Sequence, residues 1–269
     1  MGENVPIGVT FITSLGRILS YDVGKVFTGG LSLANGQHVG TPNTACFSAV
    51  QLSRLKNVMQ ECKLSAGSFI YREGDPADKL YFLVHGSVRI TKATDDGRQL
   101  TIYLHQQGDL FGQVDPFHES AHSFGAEVIE DAVVGMIPRK ALEAQLSQHG
   151  EFAVEFMKWM GLMHRMTQTR MRDLILFGKT GALCSLLIRL VNTYGVESSE
   201  GHIKITRKLT NTELGDMIGT TRESVNRMLS DLKKDQIISN DKGYLVIENL
   251  EYLRSLCFCE KCPKEICRV

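Results

Sequence analysis

The sequence predicts an α+β chain: an N-terminal antiparallel β-roll, a long helix and a C-terminal winged helix-turn-helix. Three observations carry this. Glycines punctuate a strand-like stretch from about Cys62 to Pro138. Apolar residues then recur at three- and four-residue intervals up to Phe177. Finally, two capping-box spacings flank Gly219. A switch from period two to period 3.6 marks the change from sheet to helix.

At 269 residues the chain is long enough for two domains, each with its own core. Equal numbers of acidic and basic side chains give zero net charge, so any nucleic-acid contact must come from a local patch. Residues 1–45 are rich in Gly, Ser and Thr, show no period, and are left as an unassigned extension. The apolar run from Val5 to Leu19 lacks a basic leader and is interrupted by Arg17, which argues against a signal peptide and for a cytoplasmic chain. No run of roughly 18 apolar residues is expected to span a membrane.

Residues 46–150 read as the β-roll. Tyr81 to Val84 and Val88 to Ile90 flank His85-Gly86-Ser87, and Asp95-Asp96-Gly97 precedes Leu100 to Leu104. Turn signals at such spacing mark an antiparallel sheet. Residues 151–178 lie in a helix running from about Lys140, with Phe156, Trp159, Met163, Met166 and Phe177 as a seam. A seam of this kind packs on a second helix, so a homodimer helix is expected, the alternative being a helix lying on its own sheet.

Residues 179–256 hold the second domain. A helix from about Thr180 to Tyr194 is stopped by Gly195, and Ile203 to Ile205 reads as a strand. Thr210 with Glu213, and Thr220 with Glu223, have capping-box spacing and open two short helices around Gly219. Leu214, Met217 and Ile218 face inward in the first; Val225, Met228, Leu229 and Leu232 do so in the second. Arg222, Glu223, Ser224, Asn226 and Arg227 are the candidate base-reading residues. Arginine bonds guanine O6 and N7 together, and a carboxylate accepts from cytosine N4. An exposed Glu223–Arg227 salt bridge is the plainer alternative. Ile237-Ile238 and Tyr244 to Ile247, joined through Asp241-Lys242-Gly243, read as a wing.

Residues 257–269 form a cysteine-rich tail. Four of seven cysteines fall there, and Cys259, Cys262 and Cys267 have C-x2-C-x4-C spacing. In a reducing compartment that clustering points to a metal site rather than a disulfide framework. Three close thiolates suit a breakable iron–sulfur cluster with a fourth ligand from elsewhere. A structural zinc site and a thiol switch also remain open. Cys62 and Cys184 read as small core residues. No nucleophile–base pair or phosphate loop points to an enzyme.

Several of these features together resemble the CRP/FNR family from about residue 47 onward. They are Gly74 before Asp75, Leu80 to Val84 with Gly86, the Gly108 to Gln113 turn, the long helix, and Thr221-Arg222-Glu223-Ser224-Val225-Asn226-Arg227. The resemblance implies a cyclic-nucleotide-binding-like β-roll and a homodimer that binds palindromic double-stranded DNA with TGTGA-like half-sites. It also implies RNA polymerase as a partner. Nucleotide-binding members carry a Gly-Glu turn and an Arg; here Gln113 and His122-Ser123 stand instead, so no cyclic nucleotide is expected. The tail is similar to that of the FNR proteins of bacilli. That likeness implies an oxygen-responsive regulator, an activator of anaerobic genes. It also implies a [4Fe–4S] cluster on Cys259, Cys262 and Cys267, with Asp173 as the completing ligand.

Overall fold

The computed structural model describes residues 10–12, 18–20, 40–95, 97–114, 120–198 and 201–269. Strands β1 (Thr10–Ile12) and β2 (Ile18–Ser20) pair with one another antiparallel. The leader expected to be absent from residues 5–19 falls largely outside the described residues, as does Asp96 of the expected turn.

From Gly40 onward the chain builds the sheet. A 3-10 turn, Asn43–Cys46, and helix α1 (Ala49–Asn57) precede strands β3 (Gln60–Leu64) and β4 (Phe69–Tyr71). Strands β5 (Lys79–Ala93), β6 (Gln99–Gln106), β7 (Leu110–Phe111) and β8 (Gly125–Pro138) follow. All pairings are antiparallel, in the order β3-β8-β5-β6, with β4 on β8 and β7 on β5. The two strands expected around His85-Gly86-Ser87 are one bulged 15-residue strand. Gly86 is a bulge and not a turn. At φ 94° it lies so close to β8 that a Cβ would stand 2.6 Å from the Asp131 carbonyl oxygen.

Helix α2 (Arg139–Gln148) stops at His149, whose extended backbone separates it from α3 (Gly150–Tyr194). The single helix expected from Lys140 is therefore two. Inside α3, Gly178 takes φ 61° and ψ −163°, a conformation that glycine alone adopts without strain, and divides the helix into two arms.

The first arm corrects the expected seam. Phe156, Trp159 and Met166 are buried within their own chain, and Phe156 and Trp159 pack with Phe152 on Leu80, Phe82 and Leu110 of the sheet. Phe177 stacks on Phe258, ring centroids 5.4 Å apart. The open face is a different one, carrying Met157, Met160, Met171 and Leu174, with Met157 63% exposed. Along it Met157, Met160, His164, Thr167, Met171 and Leu174 alternate three- and four-residue steps. The two stripes have the same period, and periodicity cannot say which one the sheet takes.

The second arm is the spine of the other domain. Strands β9 (Gly195–Glu197), β10 (Ile203–Ile205), β11 (Ile238–Asp241) and β12 (Tyr244–Ile247) pair in the order β11-β12-β10-β9. Helices α4 (Asn211–Ile218), α5 (Arg222–Lys234) and α6 (Leu250–Leu256) complete it. Leu183, Leu187 and Leu190 form its core with Leu214, Val225, Leu229 and Leu253. Burying that much apolar surface explains a helix that, against expectation, is long and apolar enough to cross a membrane. Its most apolar 18-residue window is 56% buried inside the protein.

Candidate functional site

Helix α4 opens with a complete capping box between Thr210 and Glu213 and closes on Gly219 in the left-handed conformation. Gly215 makes the following turn possible, because a Cβ there would lie 2.6 Å from the Thr220 carbonyl oxygen. The expected cap of α5 is displaced by one residue: Thr221, not Thr220, accepts the Ser224 N–H. Val225, Leu229 and Leu232 are buried, Met217 and Met228 half-buried, so α5 presents its opposite face to solvent. There Arg222, Glu223, Asn226 and Arg227 line one shallow depression with Asn211. Among the described residues Glu223 and Arg227 are not ion-paired to each other. Ser224 is half-buried, and its N–H and hydroxyl are both bonded to the capping Thr221 Oγ1, so it does not face outward with the other four. Asn226 Oδ1 accepts from Asn211 Nδ2 at 3.2 Å, which ties α5 to α4. The wing turns through Lys242 (φ 51°) and Gly243 (φ 89°), the consecutive positive φ values of a tight hairpin.

At the other end of the domain, α6 delivers the chain to the tail. Cys257, Cys259, Cys262 and Cys267 all line one small pocket against Thr169 and Arg172 of the first arm and Ser185 and Arg189 of the second. All four are free thiols. Phe258 (φ 45°) and Lys261 (φ 53°) bend the loop sharply, and the Lys261 N–H points at Cys259 Sγ, 3.4 Å away. Cys257 is buried and donates to the Arg254 carbonyl, and burial pushes its thiol up to about 11. Burial also raises the Cys267 thiol, against the pull of Arg189. Cys184 is a core residue as expected, its thiol raised to about 12 by burial, whereas Cys62 is half-buried on β3.

Asp173 is not on the surface. It is 2% exposed and sits behind the pocket. Its Oδ1 accepts from Arg172 Nε at 3.0 Å and Nη2 at 2.7 Å. Its Oδ2 accepts from Arg189 Nη2 at 2.8 Å and from the Ser185 hydroxyl. Both oxygens are thus occupied, and the residue is not among the pocket's lining side chains. Among the described residues no three His, Cys, Asp or Glu side chains stand close enough to hold a metal ion as they are. Arg170 is the third guanidinium nearby. It lies 4.5 Å from the Tyr103 ring centroid and donates to the Arg268 carbonyl at 3.0 Å, without a carboxylate partner among the described residues.

Comparison with known proteins agrees with both halves of this picture. A cyclic nucleotide-binding domain matches residues 61–149, and a Crp-like helix-turn-helix domain matches residues 181–256. The Anaerobic regulatory protein of Bacillus subtilis is 42% identical over 217 residues, 80% of this chain and 91% of that protein. The chain belongs to the CRP/FNR family. A CRP-like cAMP-activated global transcriptional regulator of Mycobacterium tuberculosis is 26% identical, over 67% of this chain and 80% of its own length. The structure of FixK2 from Bradyrhizobium japonicum superposes with a TM-score of 0.61 at 26% identity, covering 74% of this chain and 97% of that one. The protein is accordingly a DNA-binding transcription regulator and not an enzyme.

In this CRP/FNR chain the β-roll cavity is walled by Tyr71, Tyr103, Phe111, Phe124, Trp159 and Met163, with no Arg or Lys among its described lining residues. Gln113 accepts the Ser123 N–H at 3.0 Å. His122 stacks on Tyr71 at 3.6 Å, is buried, and leaves Nε2 without a partner among the described residues. Burial lowers its proton affinity, against the opposing charges of Asp75 and Asp78, so at neutral pH the ring carries no charge for a phosphate.

The tail pocket differs in kind. Its thiols are the donors that an iron–sulfur cluster takes, and Lys261 N–H to sulfur is the type of hydrogen bond that tunes one. Arg172 and Arg189 in the pocket are matched by Asp173 and the exposed Glu260, and the one guanidinium in excess is Arg170, outside the pocket's lining. That surplus complements an anionic thiolate-bound group, so the residues present fit such a group in chemistry and charge. Sequence reasoning missed Arg189 and Ser185, the partners of Asp173. The available signal was a lone arginine inside the apolar run Leu183 to Leu190, since arginine is almost never fully buried unless paired.

Proposed function

We propose that this regulator senses oxygen or redox state through a [4Fe–4S] cluster in the tail pocket, and that it activates anaerobic genes as a cytoplasmic homodimer. The observation that carries the reading is the gathering of four tail cysteines beside Arg172 and Arg189, where the first arm of α3 meets the domain that reads DNA. The name of the Bacillus subtilis relative, Anaerobic regulatory protein, supports the same direction. Cys259, Cys262 and Cys267 would hold the group, with Asp173 completing it once Arg172 or Ser185 releases an oxygen. Such a cluster supplies iron bound by labile ligands, which oxygen can dismantle. Arg172 and Arg189 balance the thiolate charge, and the Lys261 N–H bonds sulfur.

The dimer would form along Met157, Met160, Met171 and Leu174, placing two α5 helices in successive major grooves of a TGTGA-like palindrome. Arg222, Glu223 and Arg227 would read the bases. RNA polymerase is the expected partner at promoters, and the uncharged β-roll cavity argues against a cyclic nucleotide. Anaerobic reconstitution followed by iron, sulfide and zinc analysis, with DNA binding before and after air, tests the reading. Iron and sulfide in equal amounts, and DNA affinity lost in air, are expected. A colourless protein holding zinc in the same three thiolates, or DNA affinity indifferent to air, would overturn it.

A further inference from the structure

The four residues that end the sequence are fastened to three separate parts of the molecule. The Ile266 carbonyl accepts from Arg189 Nη1 at 3.4 Å, and the Cys267 carbonyl from Asn192 Nδ2 at 2.7 Å. The Arg268 carbonyl accepts from Arg170, and the Val269 N–H donates to Thr193 Oγ1 at 3.3 Å. The backbone is therefore strapped along both arms of α3. The Arg268 side chain leaves that strap and enters the β-roll. There it meets Asp109, in the turn between β6 and β7, through two hydrogen bonds of 2.8 and 2.6 Å. Arg268 is 3% exposed and Asp109 fully buried.

Asp109 does not need Arg268 for its own turn. Its oxygens also accept from the Asn43 N–H at 2.8 Å and the Gln106 N–H at 3.1 Å, and His105 Nδ1 lies 3.4 Å away. The guanidinium is an addition to a carboxylate already held by Asn43 and Gln106. A bidentate Arg–carboxylate pair fixes orientation as well as distance. Buried pairs contribute little net stability compared with apolar packing, and their best-attested use is to select one arrangement.

Position in the chain gives the pair its significance. Cys267 faces the thiol pocket and its neighbour Arg268 faces the β-roll. Successive Cα atoms are held about 3.8 Å apart by the peptide bond, so Cys267 cannot shift without moving Arg268. We propose that the Arg268–Asp109 pair is the lock that couples occupancy of the cysteine pocket to the placement of the DNA-reading domain on the β-roll. Arg268 is a positioning residue: it touches neither DNA nor the thiols. The proposal rests on the reading of the pocket as the sensory site, and its test lets the two fail separately.

The experiment measures DNA affinity of wild type and Arg268→Met in a Cys46→Ser, Cys62→Ser background. Each protein is assayed with reduced thiols, after anaerobic iron and sulfide reconstitution, and after capping of the thiols with N-ethylmaleimide. Wild type should change affinity by about tenfold or more on at least one form of occupancy, within the range of ordinary coupling between sites. Arg268→Met should take up the same iron, remain the same oligomer and bind DNA with equal affinity in every state. Hydrogen exchange at residues 266–269 and in the 105–110 turn should rise in the variant. If Arg268→Met does not fold, Arg268→Lys keeps the charge, loses the second hydrogen bond and should diminish the response in the same direction. A wild-type response retained in the variant overturns the lock, as does a wild type indifferent to both iron and maleimide. Failure to bind iron with a maleimide response that Arg268→Met abolishes sinks the cluster reading alone.

Discussion

In the β-roll, a cavity walled by Tyr71, Phe111 and Trp159 has no arginine or lysine among its described lining residues. Beside the tail, a smaller pocket is crowded by Arg172 and Arg189 and edged by four thiols. The two lie in one chain of a family that includes a cAMP-activated regulator. A cyclic phosphate needs a cation where this β-roll offers a neutral His122, whereas the tail pocket gathers Arg172 and Arg189, paired with Asp173 and Glu260. On the function proposed above, a signal would enter beside the tail rather than in the β-roll.

The comparison breaks most readily at Asp173. Asp173→Ala strands Arg189 in a buried site, while Arg172 keeps Glu260, and removing one partner of a buried pair costs about 3–5 kcal/mol. Urea unfolding of the cluster-free protein should show a loss of that order. After anaerobic reconstitution the loss should shrink, because an anionic occupant replaces the carboxylate's charge, although iron content falls and anaerobic DNA binding fails. Asp173→Cys should keep a cluster that resists air. Equal destabilisation with and without iron would mean that the pocket's guanidinium groups have nothing to do with its occupant.

A second substitution lies outside both chambers and calibrates them. Glu223→Ala should relax discrimination at one base position by about 1–3 kcal/mol, read by competition between specific and altered duplexes at fixed salt. Iron content should be unchanged. Equal losses on specific and random DNA would reduce Glu223 to a backbone contact.

The third restores to the β-roll what it lacks. Gln113→Glu with His122→Arg supplies a carboxylate for a ribose hydroxyl and a guanidinium for a cyclic phosphate. Calorimetry should find saturable cyclic nucleotide binding in the double variant and none in wild type. The unliganded variant should melt lower, because the new charge lacks a partner, and recover as ligand is added. Saturable binding of cyclic AMP by wild type would erase the distinction between the chambers.

How much of this was legible beforehand depended on the kind of signal. The helix-turn-helix was readable because caps, a glycine and an apolar face coincide over a short stretch, and only the cap of α5 fell one residue away, at Thr221. The tail cysteines were readable from spacing. The faces of α3 were not, because Phe156–Trp159–Met166 and Met157–Met160–Met171 share one period and only tertiary packing selects between them. Strand β9 and helix α6 were too short for a period to show. Asp173 could be numbered from a resemblance, but its partners Ser185 and Arg189 come from beyond the break at Gly178; the apolar run around Arg189 signals a buried arginine without saying which carboxylate it meets. The Arg268–Asp109 contact joins residues 159 positions apart and has no sequence signature of its own.

The smallest expected effect concerns pH, and it separates the β-roll histidines from the tail's anchor by window, the sign being the same in both. His105 and His122 are both lowered from the ordinary histidine value, chiefly by burial, which disfavours the charged ring. The unfolded chain, with imidazoles near pKa 6.5, therefore binds protons before the folded one does. Stability is full above that pH and is lost as pH falls through it. Asp109 behaves differently. Burial alone would raise it, but Arg268 and His105 hold it well below the usual carboxylate range. Its contribution persists above the unfolded carboxylate value and is lost only as pH falls toward its own depressed one. Acidification from pH 7.5 to 5.5 should thus lower the melting temperature through the β-roll histidines while leaving the tail's anchor charged. His122→Gln should flatten the slope, and hydrogen exchange at residues 266–269 should stay slow across the range. If the tail loosens first, the lock depends on His105 more than on Arg268, and the division between a pH-sensitive β-roll and a pH-insensitive anchor fails.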